Sequence, residues 1–138
     1  MLAEEMKALK MLGMSPEEIM TCGKCLKGYP FTSNANASLD IQINIPGNAR
    51  VLLGFAVVDT IDNDFVNQQY TLNLNNELIV DRVDLAFCTP NQRSLQPFGY
   101  VECMRRLTGK DSLVFSVQAI ASRTSQLTIY YLNQFKKF

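Results

Sequence analysis

Histidine is absent from this chain, and so is tryptophan. Without histidine the commonest general base and the commonest metal ligand at neutral pH are missing, so a serine or cysteine nucleophile would lack its usual partner. Without tryptophan a stacking platform for sugar rings is poorly supplied. Charge is scarce as well. Asp, Glu, Lys and Arg make up 19% of the residues, below the roughly 25% of an average soluble domain. Thirteen basic residues balance thirteen acidic ones. Such a balance offers no field to nucleic acid or to an anionic membrane, and no specific nucleic-acid binding is expected. The opening MLAEEMKALKMLGM threads acids and lysines through its apolar residues. It has neither the apolar run of a signal peptide nor the length of a membrane span, so synthesis in a cytoplasm is expected.

Uncharged polarity stands in the place of charge. Asn and Gln supply 19 residues, and Ser and Thr another 16. Amides and hydroxyls cost less to desolvate than ions, which suits broad contacts with neighbouring molecules. The length of 138 residues corresponds to one domain around one core.

The apolar pattern changes period along the chain. Leu2, Met6, Leu9 and Leu12 recur at helical spacing, and Gly13 is a plausible stop. In SPEE, Ser15 is a good N-cap, Pro16 takes the first helical position and Glu18 completes a capping box, so a short helix is expected from Pro16 to about Thr21. These two helices form an N-terminal arm over residues 1–32, too small to bury a core of its own. Beyond it, Leu39, Ile41, Ile43 and Ile45 alternate with polar residues as in a half-buried strand, and Val51 to Val58 is nearly continuously apolar, as in a strand covered on both faces. Tyr70 to Leu74 and Leu78 to Val80 flank Asn75-Asn76 as a hairpin. Tyr100 to Met104, Leu113 to Ala121 and Leu127 to Leu132 complete the set, with polar connections at Asp59 to Gln69 and Phe87 to Phe98. About seven or eight strands without intervening helices indicate a mainly β domain over residues 33–138, an antiparallel β-sandwich with crossing, jelly-roll-like connections.

Chemistry-bearing patterns are few. Cys22 and Cys25, in TCGKC, have the spacing of a thiol oxidoreductase, but a redox cysteine opens a helix whereas this pair follows one. A zinc site could recruit Cys88 and Cys103 to Cys22 and Cys25, yet the second pair lacks the close spacing of a zinc ligand set. Small thiols at a helix end are the plainer reading. Asp59, Asp62 and Asp64 lack the Gly and the terminal Glu of a calcium loop, and the NAS triplet at Asn36 has no sign of secretion beside it. No catalytic residue, metal or cofactor is expected from these patterns.

A helical arm, then SLDIQINIPGNARVLLGFAVVD, an Asn-rich hairpin, DSLVFSVQAIAS and QLTIYYLNQF together resemble the small single jelly-roll capsid proteins of tailless icosahedral viruses. These are penton or minor capsid proteins that sit beside a larger major capsid protein. The resemblance covers nearly the whole chain and rests on pattern and size. It implies two four-stranded sheets, self-association about a symmetry axis, a major capsid protein as partner, and a place in a virion assembled in the host cytoplasm. Contact residues are then expected at Leu2, Met6, Leu9 and Leu12 on the arm and at Phe135 and Phe138 in the tail. A sandwich module that binds carbohydrate or peptide through its loops is the alternative, and a zinc or thiol protein built on the four cysteines is a third.

Overall fold

The structure, a computed structural model, describes residues 3–34, 37–59, 69–84, 101–119 and 123–135. Two helices, α1 (Ala3–Met11) and α2 (Pro16–Thr21), precede eight strands: β1 (Cys22–Ser33), β2 (Ala37–Ile43), β3 (Ala49–Asp59), β4 (Gln69–Leu74), β5 (Glu77–Asp84), β6 (Val101–Arg106), β7 (Leu113–Ala119) and β8 (Arg123–Gln134). All pairings are antiparallel. β1 pairs with β8, β2 with β7, β3 with β6 and β4 with β5, so the chain behaves as one long ribbon closed by the β4–β5 hairpin and folded across itself. Two more pairings, β3 with β8 and β4 with β7, stitch that ribbon into sheets ordered β1-β8-β3-β6 and β2-β7-β4-β5. This is the eight-stranded jelly-roll order, and the mainly β sandwich behind a short helical arm is as the sequence predicts.

Alternation explains the core. Leu72, Leu74, Leu113, Phe115 and Val117 point inward from one sheet, and Leu52, Phe55, Val57, Leu127 and Ile129 from the other. Phe115 sits at the centre: its ring lies 5.9 Å from Phe31 and from Phe55, both edge-on, and 5.2 Å from Tyr70, stacked. Four strands from two sheets therefore meet on one ring, at roughly 0.5–1.5 kcal/mol per aromatic pair beyond the area buried.

β3 is apolar on both faces because both faces are covered. Leu52, Phe55 and Val57 join the sandwich core, while Val51, Leu53 and Ala56, with Leu132 of β8, form a second cluster with Leu9, Met14 and Ile19 of the arm. The arm thus lies on the outer surface of its own β1-β8-β3-β6 sheet. Ser15 Oγ accepts from Glu18 N–H at 3.2 Å, and Pro16 opens α2. The carboxylate of Glu18 meets Arg106 of β6 at 2.9 Å, so the side chain expected to close the capping box ties the helix to the sheet.

The expected arm of residues 1–32 needs one correction, because helix ends at Thr21 and residues 22–32 lie in β1. That strand runs at the edge of its sheet, with a strand partner on one side only, and its sequence CGKCLKGYPFTS, mostly exposed or half-buried, shows no clean apolar alternation. Pro30, which cannot donate to a ladder, is tolerated at an edge.

Candidate interaction surface

Residues three apart on a strand project to opposite faces, and this separates the two cysteines of TCGKC. Cys22 packs against the outer, arm-covered cluster. Cys25 pairs in register with Tyr131 and shares a hydrogen bond with its phenol, and Tyr131 packs against the sandwich core. Cys103 is buried in that core, and Cys88 lies outside the described residues. Cys22 and Cys25 therefore cannot chelate one ion, so the zinc set of Cys22, Cys25, Cys88 and Cys103 is not assembled as a four-ligand cage. Among the described residues no three His, Cys, Asp or Glu side chains converge on a metal-sized site. Burial pushes the Cys103 thiol up to about 12 and raises that of Cys22, where the Glu18 carboxylate adds to the effect. Neither is the lowered-pKa thiolate that a redox centre requires.

A cleft opens between the sheets where β1 faces the end of β2. Tyr29, Ile45, Pro46, Leu107 and Tyr131 line it, and the backbone oxygen of Asn44 accepts from Tyr29 Oη at 3.0 Å and from Lys27 Nζ at 3.3 Å. Its 240 Å³ of empty space, counted out to the open mouth, falls short of the roughly 300–1,000 Å³ of small-molecule sites. The polar groups at its rim are turned onto the protein's own backbone. As a carbohydrate or peptide site it is poorly equipped, and the loops expected to bind such ligands, Asp59 to Gln69 and Phe87 to Phe98, lie almost wholly outside the described residues, as does Asn36.

The outer surface of the β2-β7-β4-β5 sheet is different in kind. Its inward positions are buried, and its outward ones align in rows set by the register. Ser38, Gln118 and Gln69 form one row, and Asp40, Ser116 and Thr71 the next. Gln42, Val114, Asn73 and Leu78 form the third. Asp40 is the one ionic side chain that β2, β7 and β4 contribute to these rows, but β5 adds charge: Asp84 stands opposite Gln69 in register, and the N–H of Arg82 donates to Thr71 Oγ1 at 3.2 Å. Glu77, Asp81 and Arg82 of β5 are all exposed. At one end the surface is pinned by Asn75, whose φ of 52° with Asn76 at 64° makes the tight turn between β4 and β5. Asn75 Nδ2 donates to Asp111 at 2.9 Å, and Ser112 N–H donates to Asn75 Oδ1 at 2.8 Å.

The residues expected to contact neighbours are placed unequally. Leu9 is only 1% exposed and packs with the partly buried Met6 and Leu12 on the chain's own β3 and β8, so the apolar stripe of α1 is occupied within the molecule. Phe135 is exposed, with its ring over Gly23, where an added Cβ would lie 2.6 Å from it. Leu2 and Phe138 are outside the described residues. Sequence reasoning registered the uncharged polarity only in bulk. The signal that locates it is the run of amides and hydroxyls at alternate positions of β2, β4 and β7. No helix among the described residues is long and apolar enough to cross a membrane. No protein-family model matches the chain, and neither a curated protein nor a solved structure matches it.

Proposed function

We propose that this chain is a non-enzymatic structural subunit of a larger symmetric assembly, working through its surfaces, and that the assembly is a viral capsid. It would occupy a penton or minor capsid position in the virion, beside a larger major capsid protein and further copies of itself. The observation that carries this reading is the contrast between the two sheets. One outer face is sealed by the arm, and the other carries no described element over the rows of amides and hydroxyls on β2, β7 and β4, polar groups that cost less than ions to desolvate on contact. The jelly-roll order is compatible with this role but does not by itself assign it, since one fold serves many functions. A symmetric shell needs repeated contacts and no reacting group, which agrees with the raised thiols and the absence of histidine. Light scattering coupled to size-exclusion chromatography tests the reading: a trimer, pentamer or larger species is expected, and a strict monomer at high concentration would refute it.

A further inference from the structure

Four strands lie at sheet edges, β1 and β6 in one sheet and β2 and β5 in the other. Bulges, charges and proline are the usual guards of such edges. Two of the four are bulged: the β3–β6 register shifts across Met104, with φ at 49°, and the β4–β5 register across Arg82, with φ at 51°. β2 is short and sets Asp40 at its middle. β1 differs from all three, because its twelve residues pair with β8 without a shift.

The ladder shows where each main-chain group of β1 points. Phe135 N–H donates to Thr21 O at 3.1 Å, one step beyond the Cys22–Gln134 pair, whereas Gln134 N–H turns away to Asn48 O at 2.9 Å. Hydrogen-bonded and non-bonded pairs alternate in an antiparallel ladder, so Gly23, Cys25, Lys27 and Tyr29 bond to β8 and the even residues turn their N–H and C=O groups to the open side. Pro30, with no N–H to offer, falls in the even set, as does Cys22, whose N–H is spent on Ile19 O at the end of α2. That leaves the N–H groups of Lys24, Leu26 and Gly28 facing outward with no partner among the described residues. The two lysines that would guard this edge are drawn off it, Lys24 Nζ onto Glu5 at 2.7 Å and Lys27 Nζ onto Asn44 O at 3.3 Å. Leu26 between them is 62% exposed.

We infer that β1 pairs antiparallel with β1 of a second copy about a two-fold axis through Cys25, joining two β1-β8-β3-β6 sheets into one. The inference rests on the assembly reading above and names one of its contacts. Even residues must meet even residues, so the axis falls on a residue and not between two. An axis at Lys24 or Lys27 sets like charges directly opposite. An axis at Leu26 leaves the two Lys27 Cα atoms ~8 Å apart, with no carboxylate paired to either among the described residues. An axis at Cys25 brings the Lys24 residues that close instead, and each of those is already neutralised by its own Glu5. Leu26 then lies against the aliphatic stem of the second copy's Lys24. The N–H groups of Lys24, Leu26 and Gly28 reach the C=O groups of the second copy's Leu26, Lys24 and Cys22, three bonds from each copy. A contact confined to residues 22–28 is far smaller than the roughly 800 Å² per partner of a standard interface. It therefore dissociates on dilution, and a symmetric shell would need others beside it. On the axis the two Cys25 residues form a non-bonded pair, with Cα atoms about 4.5 Å apart, within the span of a disulfide.

Sedimentation equilibrium of the full chain from low to high micromolar concentration tests this, together with diamide oxidation of the wild type and the variant Leu26→Pro. Diamide is expected to yield a covalent dimer at high concentration, and peptide mass spectrometry to place its bond between the two Cys25 residues. Leu26→Pro removes a donor from the open side alone, as Pro30 already does, and is expected to weaken self-association at least tenfold while circular dichroism and Tm stay near wild type. Should it fail to fold, Leu26→Lys sets an ammonium opposite the second copy's Lys24 and serves in its place. A chain that self-associates while its folded Leu26 variant does so equally well, or while Cys25 stays out of the cross-link, would overturn the edge pairing and leave the assembly reading standing. A wild-type chain that stays monomeric at every concentration would overturn both.

Discussion

Asp111 shows how a half-exposed carboxylate can tie two connections at one end of a sandwich together, the β4–β5 turn and the β6–β7 loop. Burial works against its charge, but hydrogen bonds from Asn75 Nδ2, from the N–H groups of Thr108 and Gly109, and from Thr108 Oγ1 outweigh it and keep its pKa below the usual carboxylate value. A carboxyl depressed in the folded state stabilises the fold above its unfolded pKa of about 3.9, and that stability is lost as pH falls through the folded value. Asp111→Ala is therefore expected to cost about 1–2 kcal/mol in urea unfolding at pH 7, with the gap to wild type closing below pH 4. The raised Cys103 thiol gives a second residue-level prediction. Its pKa of about 12 follows from desolvation in the core, so alkylation at pH 8 followed by mass spectrometry should leave Cys103 unmodified until denaturant is added. The spacing of Cys22 and Cys25 was legible in the sequence, but their chemistry was not, because it depends on whether residues 22–25 are helical or extended.

At the scale of elements, the arm and β1 are where local sequence and tertiary structure part company. The capped start of α2 and the apolar stripe of α1 were readable from their own residues. Their destination was not, since nothing in a stripe of Leu and Met says which sheet it will cover. β3 did carry half of that answer: a run apolar at every position requires cover on both sides, and the arm supplies the outer cover. Leu9→Ala should cost about 2–4 kcal/mol, measured by chemical denaturation, because Leu9 is sealed against β3 and β8. Deleting residues 1–14 should leave the strands able to pair but bare Val51, Leu53 and Leu132, so the product is expected to aggregate on concentration. Deleting thirty residues removes most of β1 and is expected to abolish cooperative unfolding altogether. The ionic ties matter less. Glu18→Gln breaks the contact with Arg106, but both side chains are about one-third exposed, and a loss under about 1 kcal/mol is expected.

At the scale of the whole molecule, the sandwich class was readable from strand count and the lack of intervening helices, while the pairing was not. Alternation places a residue inside or outside, but it is silent about which strand lies beside which. The nested order rests on contacts of great sequence separation. Cys22 lies opposite Gln134 and Ser33 opposite Arg123, while only β4 and β5 meet across a short turn. Folding dominated by such distant pairings is slow, and stopped-flow refolding on the millisecond-to-second scale is expected rather than the microseconds of helical bundles. The arm shares this dependence, because its docking surface includes Leu132 of β8. On a ribosome adding about 5–20 residues per second, β1 and the arm emerge some 5–20 s before the strand that completes their seat. For that interval the nascent chain displays an unpaired edge and an unburied Leu–Met stripe, so the arm and β1, made well before their seat, call for a chaperone and become native only once β8 is in place.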